Sequence, residues 1–110
     1  MEVFEFTLGD IAELHALQPA GWPDITPNFN HYITSASCSP LKFCIENRIV
    51  GIGAAIAHKN SCWLGHIIVH PDFRNQGIGR FITETLCERM SAGFPTISLI
   101  ATDMGERHFT

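Results

Sequence analysis

The stretch His66-Ile67-Ile68-Val69-His70-Pro71-Asp72-Phe73-Arg74-Asn75-Gln76-Gly77-Ile78-Gly79-Arg80-Phe81 decides how this chain is read. It opens as an apolar run with the character of a buried strand and closes as the start of a helix, with Gly77 and Gly79 at the junction. At a helix N-terminus several backbone N–H groups lack intrahelical partners and the helix dipole presents its positive end, so a pyrophosphate is stabilised there. Gly77 and Gly79 put no side chain in its path, and Arg74 and Arg80 add local positive charge. Taken alone, a Gly-x-Gly is equally compatible with a tight turn that packs a helix closely. Two nucleotide loops are disfavoured by what surrounds it. A Walker loop needs Lys and then Ser or Thr after its last glycine, where Arg80 and Phe81 stand. A dinucleotide fingerprint needs a small residue where Ile82 stands.

Downstream, Ile78, Ile82, Leu86 and Met90 recur at four-residue steps and predict a helix that Gly93 and Pro95 end. Thr96 to Ala101 predicts a short buried strand, parallel to the one before the loop because a helical crossover joins them. Upstream, Leu41 to Ile45, Ile49 to His58 and Cys62 to Val69 predict strands joined by the short turns Glu46-Asn47-Arg48 and Lys59-Asn60-Ser61, hence antiparallel neighbours. Val3 to Leu8 alternates and predicts an opening strand with Phe4, Phe6 and Leu8 on one face. Asp10 is expected to cap a first helix, with Glu13 completing a capping box and Ile11, Leu14 and Leu17 as its apolar stripe. Thr26-Pro27 predicts the start of a second, carrying Phe29, Tyr32, Ile33 and Ala36 and closed by Ser39-Pro40.

The chain has 110 residues, 45% of them apolar and 16% charged, the balance of one globular domain. A net charge of -4 with only seven Lys and Arg argues against a nucleic-acid partner, which needs cations massed on one face. Ile49 to Ala57, the longest apolar run, falls far short of the roughly 20 residues of a bilayer helix. No membrane association and a cytoplasmic location are therefore expected. Cys38, Cys44, Cys62 and Cys87 form no Cys-x-x-Cys, and the one His-x-x-x-His spacing among the six histidines, His66 to His70, falls on an apolar strand run and not on a helix, where positions four apart would share a face. Reduced thiols and no metal site are expected.

An apolar strand, a Val-x-Pro step and then Arg-x-x-Gly-x-Gly, as Val69-His70-Pro71 and Arg74 to Gly79, resemble motif A of the GNAT superfamily of N-acetyltransferases. The resemblance extends over nearly the whole order of predicted elements. It implies an α/β fold with a central, mostly antiparallel mixed sheet flanked by helices, and acetyl-coenzyme A as cofactor. Carried over by position, Arg74, Asn75, Gln76, Gly77, Ile78, Gly79 and Arg80 would bind the pyrophosphate, while Ile67 and Val69 would offer main-chain bonds to the pantetheine arm. The implied reaction passes an acetyl group to a primary amine of a small molecule or peptide. It needs a base for the amine, a donor for the oxygen that gains charge and a proton for the departing thiolate.

The donor is expected near the Val69 N–H. His66 is the candidate base, since it lies on the same strand and an imidazole with an ordinary pKa of about 6.5 suits neutral-pH transfer; a histidine packed on one face of the sheet is the other reading. Trp22, Phe29 and Tyr32 suit either an acceptor pocket or the core. Where many relatives carry an acidic Tyr, the segment Met104-Gly105-Glu106-Arg107-His108-Phe109-Thr110 places Phe109, and the sequence ends ahead of the closing strands of the family fold. Weak or absent turnover by this chain alone is therefore expected, leaving a coenzyme A binding module or a structural domain as alternatives. Thr96 to Ala101, without charge or proline, is expected to be an uncovered edge through which the chain forms a homo-oligomer, a dimer.

Overall fold

A computed structural model describes residues 1–58, 61–91 and 96–99. In chain order these form β1 (Glu2–Glu5), a 3-10 segment (Leu8–Ala16), α1 (Thr26–Thr34), β2 (Cys38–Ile45), β3 (Arg48–His58), β4 (Ser61–Val69), a 3-10 turn (Pro71–Phe73), α2 (Ile78–Ser91) and β5 (Thr96–Leu99). The strands lie side by side in sequence order, β1 to β4 antiparallel and β5 parallel to β4. The expected mixed α/β sheet is what forms. Ile100 and Ala101, the rest of the expected edge, and Phe109 lie outside the described residues.

Local chemistry moves several boundaries. Asp10 does not cap the first helical segment. It is the third residue of that segment, and its carboxylate reaches back to accept the Thr7 backbone N–H at 2.8 Å and the Thr7 hydroxyl at 2.9 Å. That box pulls the chain out of the sheet, so β1 stops at Glu5 instead of reaching Leu8. Phe6 is buried while Phe4 and Leu8 are exposed, so the expected common face of the three does not exist. Lys42 on β2 completes the arrangement with its Nζ 2.8 Å from Asp10. Burial by itself would raise the Asp10 carboxyl, but hydrogen bonds from Lys42 and Thr7 outweigh it and hold the pKa below the usual value.

The β2–β3 turn is tighter than expected. Glu46 and Asn47 both take left-handed backbone, with φ of 51° and 66°, the form of a two-residue type I′ hairpin. Arg48 therefore belongs to β3 and pairs with Ile45. At its other end β2 begins at Cys38, so Ser39 and Pro40 are strand residues and not a boundary. Pro40 is tolerated because the ladder with β1 covers only Leu41 to Cys44 and asks no N–H of it, while its carbonyl accepts the Phe6 N–H at 2.9 Å. The second helix has Pro27 in its first turn as expected, but Thr26 is its first residue and not its cap, the Asp24 carboxylate accepting the Thr26 N–H at 2.9 Å, and the helix ends at Thr34, so Ala36 lies beyond it.

The sheet separates two apolar clusters. On one face, α1 and the 3-10 segment bury Phe29, Leu14 and Leu17 against Ile52 and Ile68. On the other, α2 buries Ile78, Ile82 and Leu86 against Phe43, Val50 and Leu64. The second contact is unusually close: a Cβ at Gly51 would lie 2.7 Å from Ile82 Cδ1, and one at Gly53 would lie 2.8 Å from Ile82 Cγ2. Two glycines on β3 thus let α2 rest on the strand backbone and set where its N-terminus lies relative to β4.

Candidate functional site

β4 carries an irregularity that shapes the site. Ile52 pairs with Ile68 and Ala54 with Gly65, so β4 has one residue more than β3 over this interval. The extra residue bulges, and His66 takes φ of 51°, a left-handed conformation that usually falls to glycine. β5 pairs with β4 only from Ser61 to Leu64. Beyond the bulge, among the described residues, β4 has β3 as its one strand partner.

The backbone of that half of β4 has a fixed direction. The His70 N–H donates to the Val50 carbonyl at 2.8 Å. Antiparallel alternation then turns the N–H and C=O of Val69 and Ile67 away from β3. The Val69 carbonyl accepts the Arg74 Nε–H at 3.4 Å. Both sequence-predicted strand residues thus present main-chain groups on the open side, while their side chains pack against the α2 cluster.

The loop that follows is braced before it reaches the glycines. His70 Nδ1 accepts the Asp72 N–H at 3.1 Å, Arg48 lies 3.5 Å from the Asp72 carboxylate, and the Arg48 guanidinium sits 5.2 Å from the Phe73 ring centroid. His70 is therefore a structural cap of this turn. Asn75 and Gly77 then take left-handed backbone, with φ of 64° and 80°, which Asn and Gly tolerate best. The Gly77 carbonyl accepts the Phe81 N–H at 3.0 Å, so the first-turn amides of Ile78, Gly79 and Arg80 have no intrahelical acceptor. Ile78 is buried and anchors the turn, leaving only its backbone for a ligand.

Arg74, Asn75, Gln76, Gly77 and Arg80 are exposed. A Cβ at Gly79 would meet only Val69 Cγ2, at 3.6 Å, so the free fold has room for a side chain there. Arg80 pairs with Glu84 one turn on, at 2.9 Å. Every residue the sequence singled out for the cofactor falls on this loop or on the open half of β4.

His66 lies on the face covered by α1. Its Nδ1 is 2.6 Å from the Tyr32 hydroxyl, and the Phe29 ring stands edge-on to it at 5.8 Å between centroids. Burial lowers the pKa of His66 and pushes that of Tyr32 up to about 12, so both are neutral near pH 7. Phe29 is wholly core, and Trp22 packs against the same cluster. Tyr32 is buried, yet it directs its hydroxyl at the candidate base. No sequence spacing links positions 32 and 66; the shared face of His66 and Ile68 was the one available signal.

Glu46 is confined to its turn. Burial raises the thiols of Cys44, Cys62 and Cys87, which disfavours a thiolate nucleophile at any of them. Among the described residues, no three His, Cys, Asp or Glu side chains converge as a metal set, and no helix is long and apolar enough to cross a membrane. A cleft of about 250 Å³ lined by Tyr32, Cys38, Ser39 and Arg89, among others, includes none of the loop residues.

Comparison with known proteins places this geometry. Residues 40–109 match the model of the acetyltransferase (GNAT) domain. No curated protein sequence matches the chain. Among solved structures, a transcriptional regulator from Bacillus halodurans C-125 superposes with a TM-score of 0.76 at 18% identity, over 97% of this chain and 85% of that one. The ribosomal-protein-S18-alanine N-acetyltransferase from Escherichia coli gives 0.72 at 18% identity, over 83% of this chain and 59% of the other. A predicted acetyltransferase with acetyl-CoA from Clostridium acetobutylicum gives 0.70 at 16% identity, over 99% and 89%. At such identities the structures speak for the fold, and the sequence match, which covers more than half of the chain and includes the glycine loop, shows that the chain belongs to the GNAT acetyltransferase family.

Proposed function

We propose that the chain binds acetyl-coenzyme A through the loop from Arg74 to Arg80 and transfers an acetyl group to a primary amine of a small molecule or peptide. One observation carries this reading: the unpaired amides at the start of α2 open beside the half of β4 that β5 leaves unpaired. The fit to a pyrophosphate rests on Gly79, where a side chain would meet nothing but Val69, and on the exposure of the loop from Arg74 to Gly77. When bound, the cofactor supplies an activated acetyl group. The chain's own residues then have separate tasks. The amides of Asn75 to Arg80 hold the pyrophosphate, with Arg74 and Arg80 adding charge. Ile67 and Val69 hold an extended amide-bearing arm by strand-like bonds. The Val69 N–H is also the proposed donor to the oxygen that gains charge.

His66 is the proposed base, since burial keeps its imidazole unprotonated at neutral pH. Calorimetry with coenzyme A, run beside a thiol-release assay over a panel of amines, tests the reading. Binding with amine-dependent thiol release supports it, binding alone favours a coenzyme A binding module, and no binding removes it. A cytoplasmic location and a homodimer belong to the same proposal. Sedimentation at micromolar concentration reads the latter, and a strict monomer would refute it.

A further inference from the structure

The base role proposed for His66 depends on which ring nitrogen carries its proton, and Tyr32 bears on that choice. Tyr32 is buried at 6% exposure, and among the described residues its hydroxyl has one hydrogen-bond partner, His66 Nδ1. His66 Nε2 has none. Two arrangements share these positions. In one, the phenol O–H donates to an unprotonated Nδ1, and Nε2 carries the ring proton. In the other, an Nδ1–H donates to the phenol oxygen, and the phenol proton is left in a largely buried setting without an acceptor among the described residues.

Two considerations favour the first. It satisfies the phenol donor, which the second leaves unmet at the cost of desolvation. The separation of 2.6 Å falls inside the range of hydroxyl donors and below the usual 2.7–3.2 Å of an N–H to oxygen bond. The raised pKa of Tyr32 and the lowered pKa of His66 keep both groups neutral in either arrangement, so the choice rests on the geometry.

We infer that Tyr32 is a positioning residue that holds His66 as the tautomer protonated at Nε2, so that the unpartnered nitrogen is a hydrogen-bond donor and not a proton acceptor. The strained backbone of His66 is consistent with a side chain held for a purpose, since non-glycine residues in this conformation persist where surrounding contacts impose them. The inference deepens the acyl-transfer reading and rests on it for its consequence: in its resting form His66 serves an oxygen that gains charge, as the neutral histidine of other carbonyl chemistries does. The base role proposed above is open only to the other tautomer, in which the Tyr32 bond reverses, Nδ1–H donates to the phenol oxygen and Nε2 is free to accept the proton of the amine.

The test is long-range ¹H–¹⁵N correlation of the histidine rings in the full chain at pH 8, above the ordinary histidine pKa of about 6.5. His66→Asn identifies the signal, because Asn tolerates left-handed backbone. The expected pattern is a protonated Nε2 and an unprotonated Nδ1, relaxing towards a mixture of tautomers in Tyr32→Phe. A wild-type His66 protonated at Nδ1, or a pattern unchanged in Tyr32→Phe, overturns the inference. If Tyr32→Phe does not fold, the wild-type pattern decides alone. Coenzyme A calorimetry on the same samples separates the two claims: absent binding refutes the cofactor reading whatever the tautomer, while binding by a chain protonated at Nδ1 refutes the tautomer alone.

Discussion

The loop after β4 and the bulge within it lie a few residues apart and work by opposite means. From Asn75 to Arg80 the useful groups are backbone amides, and the side chains either are absent, as at Gly79, or are buried away, as at Ile78. At His66 the useful groups are side chains, an imidazole and a phenol brought together from positions 34 residues apart. Backbone donors at a helix start are set by local conformation, so a substitution there acts through sterics and charge. A side-chain pair across α1 and β4 is set by packing, so a substitution there acts through contact geometry. The two sites should therefore fail independently.

Gly79→Asp is expected to have the largest effect. A carboxylate placed among amides aimed at pyrophosphate opposes charge with charge, and coenzyme A affinity should fall at least about 100-fold, roughly 2.7 kcal/mol. Because Val69 Cγ2 is the only atom a Cβ would meet, at 3.6 Å, the melting temperature should stay near that of the wild type. The converse variant is His66→Asn, which should leave affinity within about threefold while lowering any acetyl transfer by the roughly 10²-fold or more that a positioned proton-handling group contributes. Coupled changes in both readouts would break the comparison.

Gly53→Ala probes what both sites share, the seating of α2 on β3. Its Cβ would fall 2.8 Å from Ile82 Cγ2 and 3.0 Å from Leu86 Cδ1, and relieving that overlap should cost about 1–3 kcal/mol in denaturant unfolding. Acid should act elsewhere, at Asp10. Its folded pKa is depressed, so its contribution is present above the unfolded value near 3.8 and is lost as pH falls through the folded one. Acid unfolding of Asp10→Asn should accordingly show a shallower dependence on pH below about 4 than the wild type. Arg80→Ala should matter least. Its ion pair with Glu84 is exposed, contributing a few tenths of a kcal/mol at most, and calorimetry should show only a several-fold loss of coenzyme A affinity.

What could be read from the sequence follows the same division. Four-residue apolar steps from Ile78 to Met90 and the neighbouring Gly77 and Gly79 are local signals, and α2 with its loop forms where they point. The strand order followed from short turns and one crossover, again local. The misplacements arose where a side chain competed for backbone groups. Asp10 looked like a cap because it precedes Ile11, but its carboxylate serves Thr7 instead. Glu46-Asn47 gave a tighter hairpin because Asn accepts left-handed backbone and Glu was carried along. The close seating of α2 on Gly51 and Gly53 was hidden in an apolar run, since a missing side chain leaves no periodic mark. The pairing of Tyr32 with His66 depends on the bulge in β4, which no residue type announces when the left-handed position falls on a histidine beside Gly65.

A titration of the ¹⁵N-labelled chain with coenzyme A, followed amide by amide, tests the central claim most directly. The account predicts the largest shifts at Asn75 to Arg80, smaller ones at Ile67 and Val69, and none along β1. Saturation with those amides unmoved, or with shifts gathered around the cleft lined by Ser39 and Arg89, would contradict it.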